Sequence, residues 1–267
     1  MSTAPSEFMS CAKTAANAAA DVLLEYFQSG VSMRTKTASV DLVSDADVNA
    51  ERAVASVIRE TFPGHHILGE EEESAAADAE HLWIVDPLDG TTNFAHGIPH
   101  FATSIAYYRQ GKAVSGVVYN PVTQDWFTAE AGAGAFHNDR PMKVTDHTSL
   151  SEAVVGTGFY YDRGAMMEDT LTAIGKLFRQ NIHGIRRFGA ASLDFAAVAS
   201  GQFSAYFEYQ LFAWDFAAGR LLVEEAGGQT SDCEGNPLKI GPTTILATNQ
   251  HLHQPTLDLV RWSASRK

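Results

Sequence analysis

The chain has 267 residues, of which 32 are Asp or Glu and 19 are Lys or Arg, leaving a formal net charge of −13. A polyphosphate partner needs a clustered basic face, and none stands out, so direct nucleic-acid binding is not expected. At 45% hydrophobic and 19% charged, the chain has the balance of a folded protein with a sizeable core and not of a disordered segment.

No run reaches the ~18 apolar residues of a membrane span. The alanine-rich residues 15–20 contain Asn17 and are followed by Asp21, without the basic and cleavable pattern of a leader, so a cytoplasmic protein with no membrane association is expected. Cys11 and Cys233 show neither zinc-ligand spacing nor a CxxC pair and read as free thiols.

Ser6 is placed to cap a helix whose apolar residues Phe8, Ala12, Ala15, Ala19, Val22 and Tyr26 recur at spacings of three and four, with Gly30 as its stop. After a polar loop through Lys36, the residues Val48, Val54, Ile58 and Phe62 predict a second helix ending at Pro63 and Gly64. Residues 66–68 and 82–85 are short apolar runs closed by GEEEE and DPLDG, the pattern of buried strands that deliver acids to loops at their ends. From residue 101 to about 144, Gly111, Asn120, Pro121, Gly132, Gly134 and Pro141 punctuate Val, Tyr, Phe and Ile segments, which predicts antiparallel hairpins. Beyond them the pattern predicts helices near residues 166–179 and 190–200, a strand at 203–208, and a helix from Phe216 that stops at Gly227 and Gly228. No linker or internal repeat interrupts the chain, and the expected class is a layered α+β fold.

The most informative segment is WIVDPLDGTTNF at residues 83–94, where an apolar strand runs into Asp86 and Asp89. Pro87 fixes one backbone angle and Gly90 permits a sharp turn, so both carboxylates and the Leu88 carbonyl are able to face one point, as a hard cation such as magnesium requires. A plain surface turn is the alternative, weakened by the buried approach through Trp83, Ile84 and Val85. Glu70 opens a second acidic run directly after a strand and Gly69, and neighbouring strands would bring it to Asp86. Glu71, Glu72 and Glu73 are expected around it or in solvent. A third cluster, SDADVNAE at residues 44–51, fails the calcium-loop pattern because Ala50 and Ser56 stand where glycine and glutamate are required. Ser44 or Asp45 suits a helix cap there, and Asp47 remains a candidate for chemistry. Asp215, in AWDFAAG at the mouth of a helix, is either a cap or a ligand, and Glu208 leaves an apolar strand toward the same region.

Ten histidines include no HExxH or Cys-His spacing, and His96, His100, His137 and His183 read as ordinary polar residues. Nucleotide-binding glycine loops, a GxSxG elbow and a reactive cysteine setting are also missing; AGAGA at residues 131–135 reads as a hairpin turn.

GEEE, WIVDPLDGTTNF and AWDFAAG, together with DLVSDAD and FGAASLDF, resemble in order and separation the inositol monophosphatase family over essentially the whole chain up to Gly228. The resemblance implies a single catalytic domain over residues 1–267, with halves at about 1–150 and 151–267. It implies an α/β/α/β/α sandwich, often homodimeric and lithium-sensitive, that hydrolyses phosphomonoesters, most often inositol monophosphate, with two or three Mg²⁺ ions by direct attack of a metal-activated water. Carried over by position, it puts Glu70, Asp86 and the Leu88 carbonyl on one metal and Asp86, Asp89 and Asp215 on another. Gly90 and Thr91 would receive the phosphate, and Asp47 would accept the Thr91 hydroxyl and, with Glu70, orient and deprotonate the water. The alcohol moiety would meet Asp89, Ala191, Glu208 and Asp215. Ala190 departs from the family pattern by lacking a hydroxyl, which bears on the substrate contacts. Histidinol phosphate is the alternative substrate, and the alternative roles are a partner of transcription machinery or a metal-binding domain without turnover. On this basis Asp89→Asn is expected to abolish turnover with the fold intact.

Overall fold

A computed structural model describes residues 6–29, 33–35 and 42–262, with no side-chain description for 33–35 and 42–44. The expected Gly30 stop, the loop at Lys36 and the Ser44 cap therefore lie outside the described features.

Helix α1 (Glu7–Ser29) starts where Ser6 Oγ accepts the Met9 amide at 3.2 Å, a side-chain cap on the third helical residue. Its buried face is rich in alanine, including Ala12, Ala15, Ala16 and Ala19. Small side chains let it lie close along α2 (Asp45–Thr61), whose buried stripe runs through Ala46, Asp47, Ala50, Glu51, Val54, Ala55 and Ile58. A short antiparallel pair, β1 (Met33–Thr35) and β2 (Leu42–Ser44), connects the two helices.

The larger sheet contains β3 (His66–Gly69), β4 (His81–Asp89), β5 (Ala102–Arg109), β6 (Lys112–Asn120), β7 (Asp125–Glu130), β8 (Gly134–His137) and β9 (Arg140–Pro141), joined in chain order. Among these, β3 and β4 are parallel and the rest form antiparallel pairs, including the hairpin at AGAGA between β7 and β8. Glu225 holds that hairpin from outside the sheet, its two carboxylate oxygens accepting the Gly132 and Gly134 amides at 2.8 and 2.9 Å. The second sheet contains β10 (Val154–Thr157), β11 (Gly184–Arg186), β12 (Ala205–Leu211), β13 (Gly228–Ser231) and β14 (Thr243–Asn249), in the order β11-β10-β12-β14-β13.

Alternation along the strands sorts the core into layers. Trp83, Val85, Ile105, Tyr107 and Val117 meet α1 and α2 on one face of the larger sheet. Leu82, Ile84, Ala106, Tyr108 and Val118 face the other way, onto α5 (Ala191–Ala199) and α6 (Ala213–Glu225). These two helices are covered in turn by the second sheet, and every residue of α5 is buried, as a helix held between two sheets requires. On the outer face of the second sheet, Val155, Ala205, Phe207 and Leu246 pack with α4 (Ala165–Phe178) and α7 (His253–Val260). The result is the layered α/β/α/β/α sandwich that the sequence resemblance implies.

Several boundaries differ from those read in sequence: the strand expected at 82–85 runs from His81 to Asp89, so Asp86 and Asp89 lie within it and not in a loop at its end. The strand expected at 203–208 runs from Ala205 to Leu211, and the helix expected from Phe216 starts at Ala213, because Asp215 reaches back to accept the Phe212 amide at 2.7 Å and fixes the first turn. Among the described residues, no helix is long and apolar enough to cross a membrane. Cys11 and Cys233 are buried free thiols.

Candidate active site

The parallel register of β3 and β4 pairs Leu68 with Ile84 and Gly69 with Val85, so the next residues, Glu70 just past the end of β3 and Asp86 still within β4 opposite Ser104, fall side by side. Asp86 is 1% exposed and accepts the Leu88 amide at 3.0 Å. In a regular strand, Asp86 and Asp89 would point to opposite faces. The register with β5 shifts between them, and the irregularity re-aims the pair. Pro87 supplies no amide to the ladder, and its carbonyl is held by Thr103 Oγ at 2.9 Å. The chain then turns at Gly90, whose φ of 93° is left-handed and whose Cβ, if present, would stand 3.1 Å from the His100 carbonyl.

Gly90 delivers the chain into the short helix α3 (Thr91–Ala95), whose first amides have no partner within the helix itself. The Thr91 hydroxyl lies 3.1 Å from the Leu88 carbonyl and 3.4 Å from Asp47 Oδ1, so its single proton is divided between them. Asp47 sits in the first turn of α2 and is buried. Asn93 donates to the carbonyls of His100 at 2.7 Å and Phe188 at 2.8 Å, tying α3 to the segment that leads into α5.

At α5 the cap comes from another sheet. Ala190, at the N-cap position, has no side-chain acceptor; Asp89 takes its place, accepting the Ala191 amide at 3.0 Å, the Ser192 amide at 2.7 Å and the Ser192 hydroxyl at 2.5 Å. Ser192, which sequence reasoning passed over, is buried and adds a hydroxyl donor to Asp89. Glu208 on β12 accepts the Tyr206 hydroxyl at 2.7 Å, and Gly158 leaves room for its carboxylate, where a Cβ would overlap. Asp194, also unassigned from sequence, is buried nearby with Oδ1 unpartnered. Tyr206 was legible in principle, since residues two apart on a strand share a face.

Electrostatics groups these acids more plainly than hydrogen bonds do. Burial, then the negative charges of Glu70, Asp89 and Asp215, push Asp86 well above the usual carboxylate range. Burial and Glu70 do the same to Asp215. Burial raises Asp89, and the donors of Ser192 and Ala191 oppose the rise. Burial, then Asp89 and Glu208, lift Asp194 well above its ordinary value, while Arg187 acts in the opposite direction. In contrast, the Glu72 and Glu73 side chains are bound at 2.6 Å by Arg52 and Arg59 on the outer side of α2.

Carboxylates that destabilise one another by proximity suit a hard divalent cation, which relieves the repulsion and takes oxygen donors. The donor set of Glu70, Asp86, Asp89, Asp215 and the Leu88 carbonyl fits that chemistry. Among the described residues no three acids already form a coordination shell. Asp86, Asp89 and Asp215 each have an oxygen on a backbone amide, so the structure brings them within mutual electrostatic reach without closing them around a point.

Burial, partly offset by the Tyr206 hydroxyl and Arg187, pushes Glu208 up to about 7. A folded-state value above the ordinary 4.5 contributes stability that is full below 4.5 and lost as pH rises through about 7. At about 1.4 kcal/mol per unit, the loss is about 3 kcal/mol. Glu208→Gln, which still accepts from Tyr206, is expected to flatten the stability profile between about pH 4.5 and 8 by that amount in urea titrations. A variant whose profile retains the full wild-type slope would show that burial of Glu208 is not its source.

The sequence and the overall fold find counterparts in known proteins. A match to the inositol monophosphatase family spans residues 4–264. The chain is 45% identical over 226 residues to an inositol-1-monophosphatase of Rhizobium meliloti, covering 83% of each chain. It is 42% identical over 237 residues to the Nus factor SuhB of Pseudomonas aeruginosa, covering 86% of each. The crystal structure of the extragenic suppressor protein suhB from Bartonella henselae superimposes with a TM-score of 0.88 at 39% identity, covering 96% of this chain and 99% of that one. In sequence and in fold alike, the chain belongs to the inositol monophosphatase family.

Proposed function

We propose that the chain hydrolyses the phosphate ester of a small polyol, inositol monophosphate first, with magnesium held by Glu70, Asp86, the Leu88 carbonyl, Asp89 and Asp215. The observation that carries this reading is the acid cluster itself, in which Asp86 is pushed up by burial and by three neighbouring carboxylates. Without cations those charges would repel a phosphate dianion. Bound magnesium supplies Lewis acidity, offsetting phosphate charge and making water nucleophilic near neutral pH.

The chain's own groups then divide the remaining work. The Gly90 and Thr91 amides at the start of α3 receive the phosphate oxygens. Asp47 holds the Thr91 hydroxyl, and Thr91 with Glu70 orients the attacking water and accepts its proton. Glu208, Ala191, Asp89 and Asp215 line the side where the alcohol leaves, and the carboxylates among them accept hydrogen bonds from substrate hydroxyls. The name of the R. meliloti relative favours inositol phosphate as that substrate.

The test is phosphate release from inositol monophosphate and from histidinol phosphate, side by side, in chelator and across a magnesium titration. Release that rises from background with magnesium, and faster turnover of the inositol ester, is the expected result. No magnesium-dependent release from either ester overturns the phosphatase reading; preference for histidinol phosphate overturns only the substrate. A second reading rests on the P. aeruginosa relative named as a Nus factor, and gives the chain a protein partner in transcription. A stoichiometric polymerase complex recovered with a turnover-deficient variant would establish that role, and failure to recover one would dismiss it.

A further inference from the structure

Glu51 is a charged residue of α2 with 1% exposure, one turn beyond Asp47 on the same buried stripe, and the proposed chemistry makes no use of it. Its carboxylate gathers three consecutive backbone amides. Oε2 accepts from Glu71 at 2.8 Å, and Oε1 accepts from Glu72 at 2.6 Å and Glu73 at 2.9 Å. Gly69, immediately before Glu70, lies against the same carboxylate so closely that a Cβ there would overlap it. The loop also closes on itself, with the Gly69 amide donating to the Glu73 carbonyl at 2.8 Å and Ala75 returning to Ile67 at 3.0 Å. The backbone on both sides of Glu70 is therefore seated on one buried anion delivered by the helix that also carries Asp47.

We propose that Glu51 is a positioning residue for Glu70: by binding the amides of residues 71–73 and filling the space above Gly69, it fixes the direction in which Glu70 leaves β3 and so sets the affinity of the metal site. This rests on the magnesium phosphatase reading above. Carboxylates that hold a ligand-bearing loop act on affinity without touching the ion, and loss of such a partner typically lowers it by about 10- to 100-fold. One helix would then serve two elements of the site, Asp47 meeting Thr91 and Glu51 the loop of Glu70, four residues apart on one face.

The experiment compares wild type, Glu51→Gln, Glu51→Asp and Gly69→Ala, with Arg52→Ala as a control that removes the outer ion pair to Glu72 and a 3.5 Å contact to Asn49 but leaves Glu51 in place. Gln keeps the size of the side chain but turns an amide nitrogen toward amide donors, and Ala at residue 69 crowds the carboxylate from the opposite side. Two readouts are taken: hydrogen exchange of the Glu71–73 amides in metal-free protein, and magnesium affinity by titration calorimetry alongside turnover at saturating magnesium. Glu51→Gln and Gly69→Ala are expected to speed exchange of those amides at least about 10-fold with the α1 and β5 amides unchanged, and to weaken magnesium binding about 10- to 100-fold with turnover at saturation largely kept. Arg52→Ala should leave both readouts as in wild type. Should Glu51→Gln fail to fold, Glu51→Asp and Gly69→Ala carry the same expectations. Faster exchange with unchanged magnesium affinity overturns the positioning role while leaving the phosphatase reading intact. Wild-type amides that exchange at free-chain rates overturn the geometry on which it rests. A wild type that binds no magnesium overturns the phosphatase reading, and the inference with it.

Discussion

Asp86→Asn is expected to lower magnesium-dependent phosphate release by about 10²- to 10³-fold and, in chelator, to raise the melting temperature of the same protein. The two effects have opposite value and one cause. Asp86 is buried beside Glu70, Asp89 and Asp215, and burial with those charges pushes it well above the usual carboxylate range. A carboxyl raised in the folded state contributes stability that is full below its unfolded value and is lost as pH rises through the folded one, so near neutral pH its charge burdens the metal-free fold. Asn removes the charge and keeps an oxygen for the Leu88 amide, which now sits at 3.0 Å from Asp86 Oδ1. Calorimetric scans at about pH 8 should show the gain, about 2–4 °C for each kcal/mol, and scans near pH 4 should show it vanish. Magnesium should raise the melting temperature of wild type by mass action and leave the variant nearly unmoved. A variant that melts below wild type in chelator at pH 8 would refute the view of Asp86 as an uncompensated charge.

Asp89→Asn is expected to lose turnover on a similar scale but to melt lower, not higher. Both Asp89 oxygens are engaged by donors of α5, and burial raises this carboxyl only against the pull of Ser192 and Ala191. Either orientation of the Asn amide turns its NH₂ toward a backbone donor, at the Ala191 or the Ser192 side, and orphans it. One buried unsatisfied group costs about 1–3 kcal/mol, and loss of the anion at the helix terminus adds about 0.3–1 kcal/mol. The fold is expected to remain intact, as the sequence reading holds, but with a lower melting temperature because of the cap that Asp89 provides. Melting in chelator separates the two variants by sign, and an Asp89→Asn protein as stable as wild type would show that the α5 cap contributes nothing.

Much of this was legible in the chain itself because its signals are local. The apolar run at 82–85 followed by DPLDG announces a strand that ends in acids, and the glycines of AGAGA mark a turn that does lie between β7 and β8. The meeting of Glu70 with Asp86 follows from two adjacent runs of similar length, whose register the structure gives as parallel. What the sequence did not carry is pairing across distance. Nothing near Asp89 indicates that its oxygens belong to residues 191 and 192, and nothing near Glu51 indicates a loop twenty residues later. Glu51 lies on the apolar face of α2, where the periodicity marks burial but not what a buried charge is holding. Likewise Tyr206 shares a face with Glu208 by strand alternation, yet its hydroxyl contact depends on the room left by Gly158.

The cap on α5 also sets an order of events during synthesis. Asp89 leaves the ribosome about a hundred residues before the amides it binds, and at roughly 5–20 residues per second that interval lasts on the order of ten seconds. Through that interval the acidic strand end has no distal partner, and closing so long a loop is among the slower steps available to a chain of this size. The larger sheet can form in the nascent polypeptide, but competence must await the later segments, so a truncated product released early would hold the charges without the helix that restrains them.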